Sequence, residues 1–162
     1  MEKNHLPLLG VGPVIIAGQA LITVIGVIAS YRGYFDAGKI ELLNIPLKIV
    51  GVGLMVFGFY LNYSAKHKSK LFEKVAENKL ITTGVYSIVR NPVYSAVLLA
   101  CTGAVCIFNN LMLFFVPVIC WIYMTVFLKL TEEKWLTDLY GQEYIEYCKK
   151  VNRCIPWFPK YK

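Results

Sequence analysis

Acidic charge is scarce in this sequence: ten Asp and Glu stand against seventeen Lys and Arg, for a net charge of +7. Charge of either sign makes up only 17% of residues, where a soluble chain carries roughly 25%. Histidine is nearly missing, with His5 and His67 far apart in polar flanks, and the five cysteines (Cys101, Cys106, Cys120, Cys148 and Cys154) include no CxxC pair. A zinc site needs His and Cys clustered at short spacing, so none is expected. An odd cysteine count, with three members inside apolar runs, gives no disulfide framework. Internal repeats and low-complexity tracts are also lacking. What replaces charge is apolar surface, at 57% of residues and a mean hydropathy of +0.53. Soluble domains hold about 45–50%, so this chain needs an apolar solvent. Its basic residues sit between apolar runs, which directs them to an anionic membrane surface and not to nucleic acid.

A spanning helix takes about 20 mostly apolar residues, and four runs are read as spans. The first, Gly12 to Tyr31, is free of charge and carries the small residues Gly18, Ala20, Gly26 and Ala29, which permit close helix approach. Only Lys3 precedes it, and its apolar stretch outruns a signal-peptide core of roughly 7–15 residues, so it is read as uncleaved. The second, Leu43 to Tyr63, has Gly51, Gly53 and Gly58 as a small-residue face, Lys48 placed to snorkel, and Tyr60 and Tyr63 at a membrane boundary. A polar stretch from Ala65 to Arg90 follows. Within it Leu71, Phe72, Val75 and Ala76 recur at helical spacing opposite Glu73, Lys74 and Glu77, the pattern of a short amphipathic helix on the membrane.

The third span begins after Pro92 and runs to about Phe108, and the fourth runs from Leu111 to Leu130. They are joined by the turn signal Asn109-Asn110 as a tight hairpin, with a kink expected at Pro117. Beyond lies a mixed segment with Trp135, Leu136, Leu139, Tyr140, Tyr144 and Tyr147 on one side, interrupted by Gly141 and ending in an apolar, aromatic tail. The expected fold is therefore all-α: a single polytopic membrane bundle with four transmembrane helices, a helical hairpin and a C-terminal interfacial segment. Fourteen Lys and Arg fall on the side of the termini and the central loop, against three on the other. That bias places both termini, and the corner described next, in the cytoplasm.

Two features ask for more than a structural role. One is Thr82, Gly84, Tyr86, Arg90, Asn91, Pro92, Val93 and Tyr94 at the mouth of the third span. Pro92 suits a first helical position, and Gly84 a turn; as structure alone, this is a loop and a helix start. The other is Glu132-Glu133 just past the fourth span, where carboxylates are costly unless paired or hydrated; the plain alternative is a solvated helix face. A hairpin brings both features to one corner within reach of lipid.

In its spacing this pattern resembles the isoprenylcysteine carboxyl methyltransferase family, whose core the phospholipid N-methyltransferases share. The matching residues run from Thr82 to Tyr94 and continue as Glu132, Glu133, Leu136, Tyr140, Gly141, Tyr144, Tyr147, Val151, Arg153, Ile155 and Pro156, about half the chain. The resemblance implies an enzyme that uses S-adenosyl-L-methionine on a lipophilic or lipid-modified acceptor, with residues 64–162 as the methyltransferase core and 1–63 as two accessory spans. It implies that Lys79, Leu80 and Ile81 line the adenosine site, that Tyr86 flanks the cofactor, and that Asn91, Pro92, Val93 and Tyr94 hold it from the helix mouth. Glu132 would pair with its amino group, with Glu133 beside it, and Glu132 and Arg90 are the candidate catalytic residues. An aromatic face suits a sulfonium and a carboxylate suits an ammonium.

Two departures stand out. Asn91 occupies a position where the family often has His. Leu128 stands where carboxyl methyltransferases place an arginine on the acceptor carboxylate, so the acceptor is read as an amine, hydroxyl or thiol. Membrane sterol reductases that use NADPH share a related C-terminal half, and a non-catalytic membrane partner is a further alternative. The sequence fixes no oligomeric state.

Overall fold

The structure is a computed structural model and describes residues 10–39 and 41–159; Lys3 and His5 lie outside them. Among the described residues the chain is helical throughout, with no strand and one isolated antiparallel bridge between Lys39 and Asn110. The helices are α1 (Gly12–Tyr31), α2 (Asn44–Tyr63), α3 (Leu71–Ala76), α4 (Pro92–Ile107), α5 (Phe115–Leu130), α6 (Glu132–Tyr140) and α7 (Gln142–Lys150). A π-helical turn, Ser64–Lys68, prolongs α2 beyond its apolar run.

Three segments are long and apolar enough to cross a membrane: Gly12–Tyr31, Glu41–Lys68 and Leu111–Tyr140. The expected fourth span, α4, has only 16 residues; at about 1.5 Å per residue it reaches roughly 24 Å, against a hydrocarbon core of about 30 Å. On α2, Ile45, Ile49, Val52, Val56 and Phe59 are all exposed at three- to four-residue spacing, an apolar stripe that belongs in lipid.

The small residues explain the packing. Gly51 and Gly103 bring the backbones of α2 and α4 together: a Cβ on Gly51 would sit 2.6 Å from the Gly103 carbonyl. Gly58 lies as closely on the carbonyl of Ala96, and these two helices form the most extensive contact in the molecule. Gly18 and Gly26 accept Tyr123 and Val116 of α5 in the same way. Gly53 does not share this role, since nothing lies within 4 Å of its missing Cβ, and Ala20 is exposed.

The α4–α5 hairpin is looser than expected. The two helices touch, but α4 packs chiefly on α2 and α5 on α1. Pro117 is the third residue of α5 and not an interior one, because residues 111–114 form a 3-10 turn and α5 begins only at Phe115. Pro117 thus falls in the first helical turn, where its missing N–H has no partner to lose. Asn110 does more than turn the chain: fully buried, it donates to Ser30 Oγ at 2.8 Å and to the Phe35 carbonyl at 2.9 Å, tying the loop after α1 to the start of α5.

Candidate active site

The chain between α3 and α4 turns at Gly84 (φ +65), a backbone region that favours glycine, and then runs beside the C-terminal segment. The N–H groups of Arg90 and Asn91 donate to the carbonyls of Asn152 and Arg153 at 2.9 and 3.2 Å, and that of Trp157 to Ile88 at 3.1 Å. The Asn91 side chain adds an N–H to the Arg153 carbonyl at 3.0 Å. An amide meets this need with no charge, which gives the replacement of His by Asn91 a physical basis.

Glu132 and Glu133 open α6 and diverge, as neighbours on a helix must, by about 100°. Glu133 turns into the wall. It accepts from Arg153 Nε and Nη2 at 2.6 and 2.9 Å and forms an ion pair with Arg90, whose Nη2 lies 3.1 Å from its Oε1. The side chains are 15% exposed for Glu133, 7% for Arg90 and 25% for Arg153. Arg90 also donates to Cys148 Sγ and lies over the Tyr144 ring, 5.9 Å from its centroid. Its Nε is buried with no partner in the protein.

Glu132 instead faces a cavity of about 470 Å³. Its Oε1 accepts from Tyr94 Oη at 2.6 Å, and the backbone of Val11 also hydrogen-bonds to it. Gly10 and Gly12 bring the start of α1 against this pair, and a Cβ on Gly12 would lie 3.1 Å from Tyr94 Oη. Lys79, Leu80, Ile81, Tyr86, Arg90, Asn91, Pro92, Val93 and Tyr94 line the same cavity; Glu133 does not. Tyr147, buried beneath, donates to the Tyr86 carbonyl at 2.5 Å. Burial pushes the phenols of Tyr86, Tyr144 and Tyr147 above their ordinary range, so they stay neutral donors.

Three contributions escaped the sequence reading. The start of α1 (Gly10, Gly12, Pro13, Ile16) closes one wall, the apolar face of α3 (Leu71, Phe72, Val75) another, and Trp135 joins Leu136 on a third. The amphipathic pattern of α3 was a signal for the second; nothing local marks the first.

Fold and cavity define an all-helical integral membrane protein with a polar corner set in apolar walls. A phospholipid methyltransferase family model matches residues 47–143, well over half the chain, and the chain belongs to that family. It is 32% identical over 81 residues to protein-S-isoprenylcysteine O-methyltransferase B of Arabidopsis thaliana, covering 49% of this chain and 41% of that protein. It is 34% identical over 82 residues to a probable protein-S-isoprenylcysteine O-methyltransferase of Oryza sativa subsp. indica, covering 50% and 42% respectively. The chain therefore spans less than half the length of these curated relatives. No solved structure matches it significantly.

Proposed function

We propose that the chain is an S-adenosyl-L-methionine-dependent methyltransferase acting on a lipophilic acceptor that reaches the cavity from the membrane. The carrying observation is the Glu132–Tyr94 pair, 2.6 Å apart, at the polar end of a cavity whose other walls include Ile16, Leu71, Phe72 and Val75. The cofactor supplies a methyl group on a cationic sulfur, already activated for transfer. The donor set fits it. Glu132 meets an ammonium in a charge-assisted bond, the orphan Arg90 Nε is a donor left for a carboxylate, and Tyr86 offers an aromatic face to a cation. Lys79, Leu80 and Ile81 wall the adenosine, while Asn91, Pro92, Val93 and Tyr94 close the site from the mouth of α4. Glu132 and Arg90 are the residues proposed to act directly; Glu133 holds Arg90 in place. The rest of the task is alignment of the acceptor and exclusion of water.

The acceptor is read as a lipid amine, hydroxyl or thiol. Leu128 is fully buried against Ile15, Met124 and Cys154, and Lys129 points outward, so that position supplies no cation for a carboxylate. In the membrane, α4 serves as a fourth span, aided by local thinning. Both termini and the α2–α4 connection lie in the cytoplasm, with residues 1–63 supporting a core of 64–162. No observation favours NADPH reduction or a non-catalytic role.

Calorimetry of S-adenosylhomocysteine with detergent-purified protein tests this reading. The wild type binds, and Glu132→Ala weakens binding by about 10- to 100-fold, as loss of a charge-assisted bond implies. A folded wild type that binds NADPH and not S-adenosylhomocysteine overturns it.

A further inference from the structure

A second cavity, of about 330 Å³, shares no lining residue with the first. Six of its residues are Ser64, Lys68, Ser69, Lys70, Lys74 and Thr83, three ammonium groups and three hydroxyls. The short helix α3 divides the two cavities: Lys70 and Lys74 flank this one, while Leu71, Phe72 and Val75 wall the other. We infer that this cavity binds the phosphate of an anionic phospholipid headgroup.

Charge comes first. Lys70 is the only one of the three lysines with an ion pair among the described residues, to Glu73 at 3.0 Å in a solvent-exposed contact. Glu77, the other nearby carboxylate, is taken by Lys79 at 2.7 Å. Lys68 Nζ lies 5.6 Å from the centroid of the Tyr60 ring, which also lines the cavity. The concavity is thus left with net positive charge.

A second and independent feature is Ser64. It lines the cavity, is 2% exposed, and its hydroxyl is buried with no hydrogen-bond partner. Such a group is costly to leave unpaired, and a phosphate oxygen accepts from hydroxyl and ammonium alike.

Position selects the lipid. Ser64 and Lys68 bound the π-turn in which α2 leaves its apolar run, just past the exposed Phe57, Phe59 and Tyr63. Headgroup phosphates lie at that level. A zwitterionic headgroup would bring its own ammonium against three lysines, whereas phosphatidylglycerol or phosphatidic acid would not. Lipid held here would brace α3, whose other face walls the acceptor side of the active-site cavity.

The test measures lipid retention by native mass spectrometry and the melting temperature of the detergent-purified full chain. Phosphatidylglycerol, phosphatidylcholine and inorganic phosphate are added separately. We expect one tightly held phosphatidylglycerol with a raised melting temperature, and little effect of phosphatidylcholine. The double variant Lys68→Gln/Lys74→Gln should bind phosphatidylglycerol about 30-fold more weakly, the effect of two interfacial lysines, while melting like the wild type without lipid. Lys149→Gln/Lys150→Gln removes the same charge from the exposed end of α7 and should leave binding unchanged. Equal loss in that control would reduce the effect to net charge and overturn the site. An equal rise in melting temperature with inorganic phosphate would overturn the lipid assignment. Neither readout requires the methyl donor to bind.

Discussion

The seam between α2 and α4 and the corner where α4, α6 and the C-terminal segment meet are joined by opposite means. In the seam, glycine backbones touch: a Cβ on Gly103 would lie 2.5 Å from the Gly51 carbonyl, and one on Gly51 would lie 2.6 Å from that of Gly103. Lipid tails are as apolar as side chains, so close packing must supply the attraction there. The corner is joined by charge, with Glu133 bound to Arg153 at 2.6 Å and to Arg90 at 3.1 Å. The corner can therefore keep an open cavity beside it, since its strength does not depend on filling space. Glu133 secures the wall, and Glu132, one residue earlier, is left to face the cavity.

If the corner is held by charge, Glu133→Ala should be the most damaging of the changes considered. It leaves Arg90 and Arg153 facing each other with no anion between them. Breaking a buried pair from one side costs about 3–5 kcal/mol, and the partial exposure of Arg153 favours the lower end. Thermal denaturation in detergent should show a large fall in melting temperature, partly recovered in Glu133→Ala/Arg153→Met. An unchanged melting temperature would break the comparison at its stronger end. The seam comes next. Gly51→Ala sets a methyl against a backbone carbonyl that cannot rotate away, so the helices must part, at about 1–3 kcal/mol. Gly53→Ala, two residues along and facing open space, should be neutral or gain up to about 1 kcal/mol from helix propensity. Equal losses in the two variants would show that the seam is not what glycine contact maintains.

The sequence made the helices legible and their partners less so. Hydropathy runs bounded α1 and α4 to within about a residue, because a helix in lipid announces itself by composition. The same runs gave no sign that residues 111–114 would form a 3-10 turn and move Pro117 to the start of α5. Spacing against a known family brought the residues of the corner together, but not the division of labour between Glu132 and Glu133, which are alike in sequence and part only through the helical turn. The part played by Gly10 and Gly12 was out of reach. They meet Glu132 and Tyr94 across most of the chain, and no local pattern encodes such a contact.

Alkali probes the phenols packed at the corner. Burial raises the phenols of Tyr86, Tyr144 and Tyr147 above an unfolded value of about 10, and lifts the Cys154 thiol to about 11. Past the unfolded value, the unfolded chain releases protons that the folded chain keeps. Stability is therefore complete below about pH 9 and falls as pH rises through 9 to 11. Each such phenol contributes about 1.4 kcal/mol per pH unit above 10. Chemical denaturation followed from pH 7 to 11 should show this decline, and Tyr147→Phe should make it shallower by one group. Gly51→Ala touches none of these phenols, so it should lower the whole curve and leave their share of its slope in place.

A modest effect is expected of Tyr94→Phe, and it bears most directly on the cavity. The change removes one hydroxyl that donates to Glu132 at 2.6 Å and leaves the ring in place. Glu132 keeps its bond from the Val11 backbone, so the carboxylate loses orientation and not its place. A single hydrogen bond to a charged acceptor is worth about 1.5 kcal/mol at the low end, or about tenfold in affinity. S-adenosylhomocysteine binding by calorimetry should weaken by that factor or less, with the melting temperature nearly unchanged. The opposite pattern, a lower melting temperature with affinity intact, would place Tyr94 and Glu132 in the wall beside Glu133 and remove the distinction between the two carboxylates.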